Sequence, residues 1–369
     1  MAGRIVLAVA GAGKTYYICN NLDENKRNLI LAFTHENIHN IYDNLNKIYG
    51  CIPHNTIICT FDSFVYNQII LPFESYIIGK FNISNFQSKG VTLSTPPPRT
   101  VKKNNKQVPN SNYKKKIYFS HYNKDGYYYC DTLSELAVYK VIKKDLITKV
   151  SRRLTLFFDH IYVDEFQDFR LFDYDLLIEL SKKLDMTLVG DYYQHSVSGK
   201  NNYGRPFDKE ISYSAYIKLM EKKKFTVETN LLNNSRRCSS EVCDFVRKKL
   251  GIDIYANNEH LGKVKFVSGN NINKTLDNDS VIKLVYKNSK LYKFRSCNWS
   301  YSKGDTFDET CVILTDKLKN LDSENFNPAK LGQINRNKLY VALTRSKGNV
   351  YLIKVEDFNK VREEYILNH

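Results

Sequence analysis

Arg4-Ile5-Val6-Leu7-Ala8-Val9-Ala10-Gly11-Ala12-Gly13-Lys14-Thr15 is the stretch that decides the fold. Residues 4–10 are short and apolar, the pattern of a strand buried on both faces of a parallel sheet. The run breaks at glycine, and a helix is expected from about Lys14. Strand, glycine turn and helix in this order make a phosphate cradle, because backbone N–H groups turn inward and no side chain blocks the approach. Ala8 to Thr15 follows the Walker A wording, except that Ala8 stands at the usual first Gly. On that reading Ala10, Gly11, Ala12 and Gly13 wrap the phosphates, Lys14 reaches the β- and γ-phosphates, and Thr15 ligates magnesium. ATP and Mg2+ are therefore the expected cofactors.

A second half-site lies at Ile161-Tyr162-Val163-Asp164-Glu165. An apolar strand that delivers Asp-Glu at its carboxyl end reads as Walker B: Asp164 for the metal, Glu165 for the attacking water. Further short apolar runs occur at 29–33, 56–60 and 186–190, with a helical pattern from Tyr174 to Leu184 between two of them. Strands alternating with helices predict an α/β fold with parallel sheets covered on both faces. A second unit carries comparable runs at 263–267, 310–314 and 349–353. The expected division is a first domain over 1–65 and 153–225, an inserted subdomain over 66–152, and a second domain over 226–369. The insert holds Pro96-Pro97-Pro98 and the basic runs 102–106 and 114–116, with a mobile stretch expected near 94–112.

Lys and Arg number 55 against 39 Asp and Glu, a net charge of +16. That suits a polyanionic partner, although an AT-rich coding sequence would also enrich Lys, Asn, Ile and Tyr. Eight cysteines show neither a CxxC pair nor zinc-ligand spacing, and read as free thiols of a reducing compartment. No apolar run approaches the roughly 20 residues that span a bilayer, so a cytoplasmic protein with no membrane partner is expected.

Seven further segments carry a family resemblance. Asp164-Glu165-Phe166-Gln167-Asp168 resembles the DEFQD box of superfamily 1 helicases related to UvrD, Rep and PcrA, and residues 340–347, Tyr-Val-Ala-Leu-Thr-Arg-Ser-Lys, are similar to their motif VI. Residues 32–37, 60–64, 188–194, 234–242 and 302–308 resemble motifs Ia, Ib, III, IV and V, in the family's order. The resemblance implies two RecA-like domains, a P-loop NTPase, with ATP in the cleft between them. It implies arginine fingers at Arg345 and at Arg237 or Arg236, a γ-phosphate sensor at Gln194, and a nucleotide contact at Gly304. It also implies contacts to single-stranded DNA from Thr34, Asn37, Thr60, Phe61, Ser63 and Phe64; core packing is the equal alternative for Phe64.

Several positions depart from the family pattern. Tyr16 stands where relatives stack an Arg on adenine, and no Gln precedes Lys14. Lys200 and Tyr203 are stand-ins for the Trp-Arg pair that usually follows motif III, and Thr306 replaces the Glu of motif V. The large insert between motifs IV and V is missing. This short build resembles the helicase-like subunit of Gabija anti-phage systems, which would imply a nuclease subunit as partner. The expected function is an ATP-dependent DNA translocase or helicase. The alternatives are a nucleotide- and DNA-sensing subunit that gates a nuclease, and an RNA helicase of viral type, hinted at by motif V alone.

Overall fold

A computed structural model describes residues 3–195 and 204–367. Two parallel sheets form its frame. The first has six strands in the order Thr226–Leu232, Arg4–Ala8, Met186–Gly190, His160–Val163, Asn28–Ala32 and Thr56–Thr60. Its central strands are apolar on both faces because helices cover both: Ile5, Val6, Leu29, Ile30, Val163 and Leu188 are buried. Thr56–Thr60 is an edge strand, and its Ile57 is accordingly exposed. The second sheet has five strands in the order Val264–Val267, Val350–Ile353, Glu309–Ile313, Val281–Val285 and Ser296–Asn298, again all parallel. The chain is an α/β protein of two RecA-like parallel-sheet domains with one insertion in the first.

Three strands have no simple apolar signature. Thr226–Leu232, which the expected division gave to the second domain, pairs with Arg4–Ala8 in the first sheet. It closes that sheet as a half-exposed edge, so its sequence alternates with polar residues. Val281–Val285 hides a lysine: Lys283 is fully buried and donates from Nζ to the Asn278 carbonyl at 2.6 Å. Ser296–Asn298 is too short and polar to register as a strand from composition.

The insert packs onto the first sheet without a core of its own. Ile69, Ile77, Tyr128, Leu136 and Val150 share one continuous cluster with Phe64, Ile5, Leu29 and Ile161. Within the stretch 94–112, expected to be mobile, the chain forms a β-hairpin, Thr100–Lys103 paired with Lys106–Pro109. Asn104 and Asn105 both have positive φ, 49° and 60°, as a two-residue hairpin turn requires and as asparagine tolerates. Among the described residues no helix is long and apolar enough to cross a membrane, and the eight cysteines are free thiols.

Candidate active site

The phosphate-loop segment leaves the first sheet at Ala8 and turns into the helix Lys14–Asn20. Gly11 and Gly13 sit at φ 73° and 80°, where a side chain is strained. Gly11 is also contacted from the second half of the chain: a Cβ there would lie 2.6 Å from Ser235 Oγ and 2.7 Å from Arg237 Cβ. Lys14 Nζ lies 3.3 Å from Glu165 Oε1, and Thr15 Oγ1 donates to Asp164 Oδ2 at 2.8 Å.

Asp164 and Glu165 end the strand His160–Val163. Glu165 adopts φ 53°, a conformation that costs a side-chain-bearing residue about 1–3 kcal/mol. Its backbone N–H donates to Asp164 Oδ1 at 2.9 Å, and Gln167 Nε2 donates to its carboxylate. Gln167 also accepts the Asp191 N–H at 2.8 Å, tying this turn to the end of the strand Met186–Gly190. Gly190 is needed there, since a Cβ would meet Gln167 Oε1 at 2.7 Å. Gln194 Nε2 donates to Asp191 Oδ2 at 2.9 Å.

Charge in this cluster is balanced rather than solvated. Burial works against the Lys14 ammonium, but Glu165, Asp191 and Asp164 outweigh it and hold its pKa above the ordinary lysine value. Burial, then the charge of Glu165, pushes the Asp164 carboxyl up. Glu165 goes the other way, because Lys14 and Lys303 overcome its burial and keep it ionised. Asp191 is pushed up to about 6 by burial.

The second domain supplies the opposite wall. A cleft of about 250 Å³ is lined by Gly11, Lys14, Thr15, Tyr16, Glu165 and Gln194 from one side and by Arg237, Gly304 and Arg345 from the other. Arg237 donates to the Thr344 carbonyl at 3.1 Å. Arg345 is buried and held by the carbonyls of Val341, Ser302 and Asp305 at 3.0–3.4 Å. Burial, then the neighbouring Arg237, lowers its guanidinium to about 9. Of the two motif IV arginines, Arg237 lines the cleft, whereas Arg236 sits over the Tyr16 ring with 5.0 Å from guanidinium to centroid. Its backbone N–H meets the Gly11 carbonyl at 2.9 Å.

The residues expected to touch nucleic acid divide. Thr34 is exposed and caps the helix His35–Tyr49, accepting the Asn37 N–H at 3.1 Å. Asn37 lines the cleft beside Lys14, with Asn40 and Asn44 one and two turns along. Thr60 caps the next helix by accepting the Ser63 N–H at 3.3 Å. Phe61 and Phe64, given as contacts to single-stranded DNA with core packing the equal alternative for Phe64, lie in the core. They are 3% and 1% exposed, and Phe61 packs edge-on against Phe169 at 4.9 Å. Both are core residues because the apolar face of their helix is turned into the first sheet's core. Phe33 is the exposed aromatic of this region, at 38%. Lys200 and Tyr203 lie outside the described residues.

Two cross-domain links escape motif reading. Lys303 Nζ contacts both carboxylate oxygens of Asp168 at 2.6 and 2.5 Å and lies 3.7 Å from Glu165 Oε2. Tyr340, fully buried on the helix Gln333–Leu343, accepts the Ala10 N–H at 2.6 Å and donates to Asp191 Oδ2 at 3.1 Å. The only sequence signal for either is its place inside the motif V or VI wording.

No curated protein matches the sequence. Among solved structures the chain is similar to the arterivirus nonstructural protein 10 helicase, with TM-score 0.46, 13% identity, and 95% of this chain and 59% of that chain covered. A complex of that helicase with DNA gives 0.44, 14%, 95% and 60%, and the PRRSV helicase gives 0.46, 13%, 99% and 55%. The chain thus spans somewhat over half the length of these structures. A family model described as an AAA domain matches residues 3–200, more than half of the sequence and the part that carries Lys14, Asp164 and Glu165. On that match, the chain belongs to the AAA domain family.

Proposed function

We propose that the chain is an ATP-driven motor of superfamily 1 helicase type that acts on DNA, preferring single strands. One observation carries this reading: Lys14, Thr15 and Glu165 of the first domain face Arg237 and Arg345 of the second across one cleft. A phosphoryl group between two domains is the arrangement in which hydrolysis can drive domain motion, since charge that develops on it is met from both sides.

The residues fit a magnesium nucleotide. Asp164 is wholly buried and Thr15 Oγ1 lies 2.8 Å from its carboxylate, so two oxygen donors suited to a hard cation adjoin the phosphate loop. Magnesium, when bound, neutralises phosphate charge. Lys14 binds the terminal phosphates, and Glu165 orients the attacking water. Gln194 reports phosphate state to Asp191, and Arg237 and Arg345 stabilise the transferring group. Tyr16, with Arg236 against its ring, flanks the mouth of the cleft and stacks the base.

Thr34 and Ser63 are assigned to phosphate contacts of the bound strand, which position it without reading sequence. The short build, in which about sixty-five residues separate Arg237 from Lys303, favours a motor that works with a partner, and a nuclease subunit is the partner assigned here. Turnover of ATP by the full chain, with and without single-stranded DNA, tests the reading. DNA-stimulated turnover that is lost in Lys14→Ala and trapped with bound ATP in Glu165→Gln is expected; normal turnover in Glu165→Gln overturns the role given to that carboxylate.

A further inference from the structure

The basic charge of this chain is concentrated in one place. Between Ser75 and Lys124 there are ten Lys and Arg and no Asp or Glu, against a net charge of +16 for all 369 residues. Lys116 is committed to Glu135, but Lys102, Lys103 and Lys106 are exposed on the hairpin 100–109. That hairpin is a two-stranded sheet by itself, with Thr100–Lys103 exposed throughout. A lone hairpin is marginal in water, and this one carries an added cost: Lys103 stands directly opposite Lys106. Like charges in that position are destabilising by some tenths of a kcal/mol. Among the described residues no carboxylate forms an ion pair with Lys103 or Lys106, whereas an anion against the ribbon would offset the repulsion.

A cavity of about 580 Å³ lies at the foot of the hairpin. It is lined by Ser94, Asn112, Lys114, Ser120, Asn123 and Lys124, with the one acidic residue of the lining, Asp125, next to Lys124. Ammonium, hydroxyl and amide donors together are the chemistry that holds phosphate oxygens. The hairpin itself bears no aromatic side chain, so it offers no stacking platform for unpaired bases. A two-stranded ribbon does match the width of a duplex groove.

We propose that the hairpin and the cavity at its foot form a second nucleic-acid site, separate from the ATP cleft, that grips the phosphate backbone of a duplex. Binding there needs neither nucleotide nor hydrolysis. Its effect is to hold duplex DNA beside the motor while a single strand is engaged elsewhere.

The test uses the full chain and a blunt DNA duplex without single-stranded ends, with affinity measured across a salt series. Three lysines that each neutralise one phosphate contribute about 2.7 to the slope of log K against log salt. Between 50 and 200 mM salt the parent should therefore lose about 40-fold more affinity than Lys102→Gln/Lys103→Gln/Lys106→Gln. Lys114→Gln/Lys124→Gln should reduce the slope by about 1.8, which keeps the proposal testable should the hairpin variant misfold. Lys14→Ala should keep the parent slope, so failure of the motor reading and failure of this one are distinguishable. Unchanged slopes in both lysine variants refute the site. So does binding of poly-glutamate that depends on the same lysines while the duplex does not bind, which would make an acidic polypeptide the occupant.

Discussion

Tyr340→Phe removes a single oxygen and tests whether the two domains are joined as described. The hydroxyl is buried, accepts the Ala10 N–H at 2.6 Å and donates to Asp191 Oδ2 at 3.1 Å. Without it the Ala10 amide faces a phenyl edge with no acceptor, and an unsatisfied buried donor costs about 1–3 kcal/mol. Asp191 loses one of its donors but keeps the Tyr193 N–H and Gln194 Nε2, both at 2.9 Å, so its share falls at the low end, about 1 kcal/mol. The sum is about 2–4 kcal/mol, a large part of the 5–15 kcal/mol by which ordinary domains are stable. Urea denaturation followed by tryptophan fluorescence, together with hydrogen exchange at the Ala10 amide, measures it. The midpoint should drop and the Ala10 amide should exchange faster by two orders of magnitude, about 2.7 kcal/mol. A midpoint within about 0.5 kcal/mol of the parent, with Ala10 protection unchanged, refutes the link.

Three other outcomes are expected. Lys303→Met removes the ammonium that contacts Asp168 and lies 3.7 Å from Glu165 in a nearly dry site. It should cost about 3–5 kcal/mol in thermal or chemical unfolding; adding Asp168→Leu should recover part of that, and a further loss in the double variant would contradict the pairing. His195 is buried against Phe207, ring on ring at 3.9 Å, and burial, aided by Arg170 and Lys303, lowers its pKa to about 3. A depressed histidine contributes stability that is full above its unfolded pKa, about 6.5, and is lost as pH falls toward the folded value. Parent stability should therefore fall by up to about 1.4 kcal/mol per pH unit more steeply below pH 6.5 than that of His195→Gln; parallel profiles would show that His195 charges freely. Phe64→Ala should cost about 3–5 kcal/mol by opening a core cavity, while Phe64→Leu should leave DNA affinity unchanged; a selective loss of DNA binding in the leucine variant would return Phe64 to the nucleic-acid surface.

Local chemistry was written plainly in the chain. The phosphate loop depends on glycines at positive φ, and Gly11 and Gly13 can be read from the sequence because no other residue does that work cheaply. The central strands are equally legible, since a strand buried on both faces must be apolar along its length, and 186–190 coincides with the strand Met186–Gly190. Pattern failed where burial was one-sided or borrowed. Thr226–Leu232 looks polar because it closes a sheet at its edge, and Lys283 interrupts a strand because a carbonyl holds its ammonium in the interior. Likewise Phe64 carries motif wording that cannot tell a stacking face from a core face.

Tertiary structure alone decided which arginine faces the cleft, because Arg236 and Arg237 are neighbours in sequence and only the path of the chain past Gly11 turns one onto Tyr16 and the other inward. It alone brought Lys303 to Asp168 and Tyr340 to Ala10, pairs separated by 135 and 330 residues. The parts of the phosphate site follow from residue order alone, since they depend on backbone conformation and residue type within one turn. The meeting of the two domains depended on distances that no local pattern encodes.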